Sequence, residues 1–220
     1  MHESGDCGRN LPFRCAEQTA LLVVDVQGYV GHPQRGMFAR ADVPETVRDA
    51  YFDRLRGTVL PNIAALADAC RDKGAEVLYT VIESLTRDGR ERSLDHKISG
   101  IFVAPGSPEA RVLPEVAPRG DEMVIPKTSS SVFCSTNIDY ILRNLGIRQL
   151  MIVGLFTEQC VLSAVRDAAD LGYLVTVAAD ACASLLPERH EMGLKLCEGY
   201  ARVLTTADAL AELSVMAARG

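Results

Sequence analysis

Residues 147–169 read IRQLMIVGLFTEQCVLSAVRDAA. Residues 150–153 are a short apolar run of strand type that Gly154 ends. From Glu158 the spacing of Cys160, Val161, Ala164, Val165 and Ala168 is that of a helix with one buried side, and Thr157 stands at the N-cap position. Cys160 then falls in the first turn of a helix that starts at the carboxyl end of a strand. Free backbone N–H groups and the positive end of the helix dipole lower a thiol pKa there and favour the thiolate, and the same N–H groups can hold a developing oxyanion. Cys160 is therefore the candidate nucleophile.

Working outward, residues 19–26, TALLVVDV, form the near-continuous aliphatic run of a parallel strand buried on both faces. Asp25 interrupts it at the carboxyl end. A carboxylate buried there without a partner is costly, so it needs a partner or a task. Residues 28–44 are a Gly- and Pro-rich loop long enough to wall a site, and its His32 reads as a solvated loop histidine. Residues 45–73 carry helical spacing, with Pro61 either kinking the helix or starting a new segment and Gly74 stopping it.

Residues 75–82, AEVLYTVI, are the second strand. The charged, aperiodic ESLTRDGRERSLDHKISG follows it; Glu83, Arg87 and Arg90 are candidate substrate contacts, whereas Asp95 and His96 are not expected to matter chemically. Residues 101–120 read as turns with one short helix near 110–113. Residues 122–125, EMVI, form a short strand that delivers Pro126 and Lys127. A lysine in that position is ordinarily a surface cation, and the Ser/Thr cluster 128–131 after it suits hydrogen bonding.

Residues 137–145 form an amphipathic helix before Gly146. Beyond the opening stretch come a strand at 173–178, a loop at 180–187, a helix at 188–198 with His190 on its exposed side, a last strand at 201–204 and a closing helix at 208–217. This alternation predicts an α/β fold: a Rossmann-like three-layer α/β/α sandwich with a mainly parallel central sheet. A single domain over residues 19–220 is expected, preceded by an N-terminal arm of residues 1–18. Open sheets of this kind take ligands at the carboxyl ends of their strands, where Asp25, Lys127 and Cys160 all stand.

Composition narrows the partners. At 220 residues and 48% hydrophobic content the chain can bury one sizeable core. A net charge of −6 gives no reason to expect nucleic acid or an anionic membrane surface, and no apolar run approaches the roughly 20 residues of a membrane span. The N-terminus lacks the apolar core of a secretory signal, so a cytoplasmic protein is expected. Seven cysteines, an odd number without metal-ligand spacing, read as reduced thiols.

The order Asp, Lys, Cys, with Asp25 in VVDVQ, Lys127 in KTSSSVF and Cys160 in VGLFTEQCVLSAVRDAADLGY, resembles the isochorismatase-like cysteine hydrolases over roughly residues 19–205. That resemblance implies specific roles. Asp25 takes the thiol proton, Lys127 pairs with both partners, and Cys160 attacks an amide-type carbon. It also implies a cis peptide at Leu155–Phe156 and an oxyanion hole from the N–H groups of Phe156 and Cys160. Gln27, Glu83, Arg87, Ser129, Ser130, Leu155 and Thr157 are the candidate substrate contacts.

Relatives that act on nicotinamide carry an Asp/His metal cluster after the second strand. This chain has ESLTRDGR there and no histidine until His96, so neither a metal nor another cofactor is expected. Cys160 sets it apart from relatives that cleave a vinyl ether. Ser129 and Ser130 in place of bulkier groups imply a small, neutral, hydrogen-bonding substrate, a ureide or carbamoyl compound whose C–N bond is cut with release of ammonia. Two alternatives stay open: a cyclic or aromatic amide packed on Leu155 and Phe156, and a binding protein with the same fold. The resemblance and the arm imply a homodimer or homotetramer.

Overall fold

The computed structural model describes residues 8–39 and 42–220. Six strands, β1 (Thr19–Val24), β2 (Glu76–Ile82), β3 (Val124–Lys127), β4 (Gln149–Leu155), β5 (Leu174–Ala183) and β6 (Arg202–Leu204), form one sheet in the order β3-β2-β1-β4-β5-β6. Every neighbouring pair is parallel, so the sheet is wholly rather than mainly parallel. All positions of β1 and β4 are buried, which their unbroken aliphatic runs require.

Parallel neighbours need crossovers, which the helices supply. In chain order these are α1 (Gly28–Gly31), α2 (Glu45–Arg54), α3 (Leu60–Lys73), α4 (Leu94–Ile98), α5 (Val132–Ser135), α6 (Ile138–Asn144), α7 (Leu162–Asp170), α8 (Pro187–Cys197) and α9 (Thr206–Val215). α3 and α9 pack together, with α3 against β1 and β2; α7 and α8 pack together against β5. One contiguous apolar core runs from Phe13 to Met216. Among the described residues no helix is long and apolar enough to cross a membrane.

Several local expectations are corrected. The helix expected over residues 45–73 is continuous through a π-turn at Leu55–Val59, where Leu60 N donates to Leu55 O. Pro61 follows at once; a proline has no N–H and crowds the carbonyl four residues back, so the wider turn accommodates it. Instead of a helix near 110–113, short 3-10 turns lie at Pro108–Ala110 and Pro114–Val116. The segment taken as an aperiodic loop contains α4, capped by the Ser93 hydroxyl, which accepts from His96 N.

The third strand lies two residues later than expected and includes Pro126, which an edge strand tolerates because one side of its ladder is unpaired. β5 continues to Ala183 through residues read as a loop, with a register shift opposite Ile152 and Gly154. Gly154 lies inside β4 rather than ending it. Its φ is 124°, and a Cβ there would meet Val24 O at 2.1 Å. Only glycine lets β4 approach β1 this closely.

Of the expected arm, residues 1–7 lie outside the described residues. The remainder packs on the body: Phe13 is buried, Arg14 N donates to Gln149 Oε1 at 2.9 Å, and Cys15 bridges to Ala217.

β1 and β4 are neighbours, yet the chain leaves β1 for β2 on one side and β4 for β5 on the other. The crevice this divergence opens at the carboxyl ends of the strands is where open parallel sheets bind ligands.

Candidate active site

Three strand ends converge on that crevice. Asp25 follows β1 in a left-handed conformation, φ 54°, which for a residue other than glycine costs about 1–3 kcal/mol and persists only where its neighbours hold it. Its backbone N–H donates to Thr80 O at 3.0 Å, and the Thr80 hydroxyl donates to Asp25 Oδ1 at 3.0 Å, so β2 fixes both ends of the residue. Lys127, the last residue of β3, is completely buried rather than a surface cation.

The Lys127 ammonium lies 2.8 Å from Asp25 Oδ2, 3.3 Å from Cys160 Sγ and 2.9 Å from Ser129 O. Burial alone would pull its pKa down. The Asp25 carboxylate and then the Cys160 sulfur outweigh that and hold it above the ordinary lysine value.

After β4 the chain passes through a cis peptide at Leu155–Phe156, at the position the family resemblance implied, and enters a π-turn at Thr157–Val161 that continues into α7. Cys160 lies in that turn. Here burial works against the lowering expected from the helix position. Burial pushes the Cys160 thiol up to about 12; Lys127 opposes this, while Asp25 adds to it. Helix position favours the thiolate only where desolvation does not outweigh it, and Cys160 is 6% exposed. Burial thus favours the protonated thiol, and a neighbouring base is what would take its proton.

Thr157 does not cap the turn. The N-cap is Phe156, and the Thr157 hydroxyl is 2.8 Å from His190 Nδ1. His190 itself is buried, not exposed, with Arg54 donating to its Nε2 at 3.0 Å. This assigns the proton to Nδ1, from which His190 donates to Thr157. α8 can approach the turn this closely because Gly193 faces it: a Cβ at Gly193 would meet Glu158 N at 2.8 Å.

Asp25 and Cys160 open onto a cleft of about 610 Å³. Leu155, Phe156 and Gln159 line it from the turn that carries Cys160, and Ser130 from the loop after β3. Tyr29, Val30 and Met37 form an apolar wall from the loop after β1, as that segment's length suggested.

Four of the expected contacts lie elsewhere, besides Thr157, whose hydroxyl meets His190. Gln27 is buried as a brace, its amide donating to Ile82 O and Glu109 O and accepting from Ile82 N. Glu83 accepts from Gly106 N and lines a separate depression, and Arg87 is exposed outside the cleft. Ser129 turns its hydroxyl to Ser131 O and Ser135 while its carbonyl holds Lys127.

The sequence reading passed over Asp95, His96 and Gln159, all of which line the cleft. Among the described residues no group of three or more His, Cys, Asp or Glu side chains is arranged to hold a metal ion.

An α/β sheet with a buried carboxylate, ammonium and thiol at its switch point defines a hydrolase of isochorismatase-like form, and comparison with known proteins makes the assignment. The isochorismatase domain model matches residues 19–208, so the chain belongs to that family. It is 31% identical to the ureidoacrylate amidohydrolase RutB of Rhizobium rhizogenes over 78% of this chain and 72% of that one. It is 30% identical to a probable inactive nicotinamidase of Arabidopsis thaliana, covering 78% of this chain and 84% of that one. A cysteine hydrolase from Pseudomonas syringae pv. phaseolicola shares the fold with a TM-score of 0.75 at 21% identity, over 93% of this chain and 98% of that one.

Proposed function

We propose that the protein is a cysteine amidohydrolase that cuts a C–N bond of a small, uncharged ureide or carbamoyl compound. The observation that carries this is the buried Lys127 ammonium within 2.8 Å of Asp25 and 3.3 Å of Cys160 at the floor of the cleft. A protonated thiol beside a paired carboxylate is suited to proton transfer concerted with attack. Asp25 takes the thiol proton as sulfur bonds to the carbonyl carbon, and the oxyanion is held by the N–H groups of Phe156 and Cys160. Asp25 then returns the proton to the departing nitrogen, ammonia leaves, and the acyl group remains on Cys160 as a thioester. Water, giving a proton to Asp25, cleaves the thioester and restores the thiol.

Two features support the substrate class. RutB, a relative at 31% identity, is a ureidoacrylate amidohydrolase, which supports the ureide class, while the absence of charge rests on the cleft alone. Among the described residues that line the cleft there is no arginine, and the one lysine nearby, Lys127, is already paired, so no cation is placed to receive a substrate carboxylate. The apolar wall of Tyr29, Met37 and Phe156 favours a second reading, a cyclic or aromatic amide.

Ammonia release from ureides, carbamoyl amino acids and nicotinamide-like amides separates the two readings. Activity on an uncharged ureide that vanishes in Cys160→Ala supports the first, and activity confined to ring amides supports the second. A Cys160→Ala variant that keeps its turnover would sink the mechanism. An assembly of two or four copies belongs to the same proposal, supported by Leu94 and Ile98, which are 72% and 77% exposed on α4; sedimentation tests it.

A further inference from the structure

Helix α4 is built inside out. It exposes Leu94 and Ile98 and turns His96, the residue between them, into the protein, where it is 1% exposed. The burial is not explained by any internal bond: neither ring nitrogen of His96 has a hydrogen-bond partner among the described residues. A buried polar atom left in this state costs about 1–3 kcal/mol, so a fold keeps one where something else satisfies it. His96 lines the same cleft as Asp25 and Cys160.

We propose that His96 is the specificity-determining residue of this site and hydrogen-bonds the uncleaved amide end of an uncharged ureide. Burial and the Lys127 charge both keep the imidazole below its ordinary pKa, against the opposing pull of Asp95 and Asp25, so the ring is neutral. A neutral imidazole offers one N–H and one lone pair, and no group among the described residues fixes which nitrogen carries the proton. The ligand therefore sets the tautomer, and the ring can donate to a carbonyl or accept from an N–H. An uncharged ureide presents both groups beyond the bond that is cut. A carboxylate in the same place presents acceptors only and finds no cationic side chain among the described residues of the cleft wall.

This inference rests on the amidohydrolase reading, and the experiment keeps the two apart. Steady-state kinetics of the wild type, His96→Phe and His96→Gln are compared on biuret, an uncharged ureide, and on propionamide, which has no second amide end. Phenylalanine keeps the ring's bulk and removes both nitrogens; glutamine restores a donor and an acceptor. In His96→Phe, KM for biuret is expected to rise about 10- to 100-fold, the loss of one buried hydrogen bond, with kcat nearly unchanged and propionamide little affected. His96→Gln is expected to recover part of the loss.

Titration of biuret into Cys160→Ala and into Cys160→Ala with His96→Phe should show the same weakening without turnover. Equal effects on both substrates, or none on either in a folded variant, would overturn the role of His96 while leaving the amidohydrolase standing. A wild type that neither binds nor hydrolyses any ureide or amide would overturn both.

Discussion

The Lys127 ammonium and the Asp25 carboxylate meet at 2.8 Å with their side chains 0% and 2% exposed. Two charges taken out of water in this way are held by each other, and the thiol at 3.3 Å from the same nitrogen depends on both. The site is thus a structural element as well as the proposed reactive one, and its variants separate the two contributions.

Removing one partner leaves an uncompensated buried charge. Lys127→Met and Asp25→Leu are each expected to lose about 3–5 kcal/mol of stability in denaturant unfolding, together with all turnover. The double variant is expected to regain most of the stability and none of the activity. If the double variant is as unstable as the sum of the singles, the pair is not the unit that the 2.8 Å contact indicates.

Thiol labelling should follow exposure rather than active-site position. Cys134 is exposed, although desolvation and then Asp167 raise its pKa too, whereas burial pushes Cys70, Cys160 and Cys182 up to about 12. Iodoacetamide near pH 7 is therefore expected to modify Cys134 before Cys160 in the resting protein. Raised thiol pKa values also set an alkaline limit. The folded protein binds the protons more tightly, so stability is full below the ordinary thiol value of about 9 and falls as pH rises from there towards about 12. Preferential labelling of Cys160 by mass spectrometry would show instead that a thiolate already exists at rest.

How much of this was legible in the sequence depended on what each residue's neighbours in the chain disclose. β1 and β4 were legible because strands buried on both faces are written as unbroken aliphatic runs. Asp25 and Cys160 stood out because each ends or follows such a run. Lys127 did not stand out by its own pattern; EMVIPK resembles an edge strand leading to solvent, and only the family resemblance pointed inward.

His190 was misread because the buried stripe of α8 is His190, Gly193 and Cys197, a helical spacing that a search for large aliphatic residues overlooks. His96 was misread because a charged segment with exposed leucine and isoleucine carries no apolar period at all. The tightness of the turn around Cys160 depends on Gly154 and Gly193, whose reasons are contacts made by residues far away in the chain.

The buried chain from Arg54 through His190 to Thr157 should make stability sensitive to acid. Burial, then Arg54, holds the His190 pKa at about 4, below the ordinary value of 6.5. The unfolded chain takes up a proton first, so stability is full above about 6.5 and is lost as pH falls towards about 4. His96 is also held low and adds to the same slope, so the test compares the wild type with His190→Asn. The variant's melting temperature should fall less between those pH values. Parallel curves would mean that His190 does not titrate with unfolding.

Gly154 offers the sharpest test of how the fold positions Cys160. Its φ of 124° disfavours any side chain, and an added Cβ would meet Val24 O at 2.1 Å, Val24 N at 2.8 Å and Val24 C at 2.9 Å. These atoms are backbone of the neighbouring central strand and cannot rotate away. Gly154→Ala should therefore force β4 off β1, at a cost of at least about 2 kcal/mol from strain and overpacking. Because Asp25 follows β1 and Cys160 follows β4, activity should fall further than stability does, in protein that is still folded at low temperature. Gly57 supplies the control: it lies in the π-turn before α3 with nothing within 4 Å of an added Cβ. Gly57→Ala should leave activity intact and raise stability by a few tenths of a kcal/mol or more through helix propensity. If both alanines behave alike in thermal unfolding and turnover, the close approach of β4 to β1 is not what sets the distance between Asp25 and Cys160.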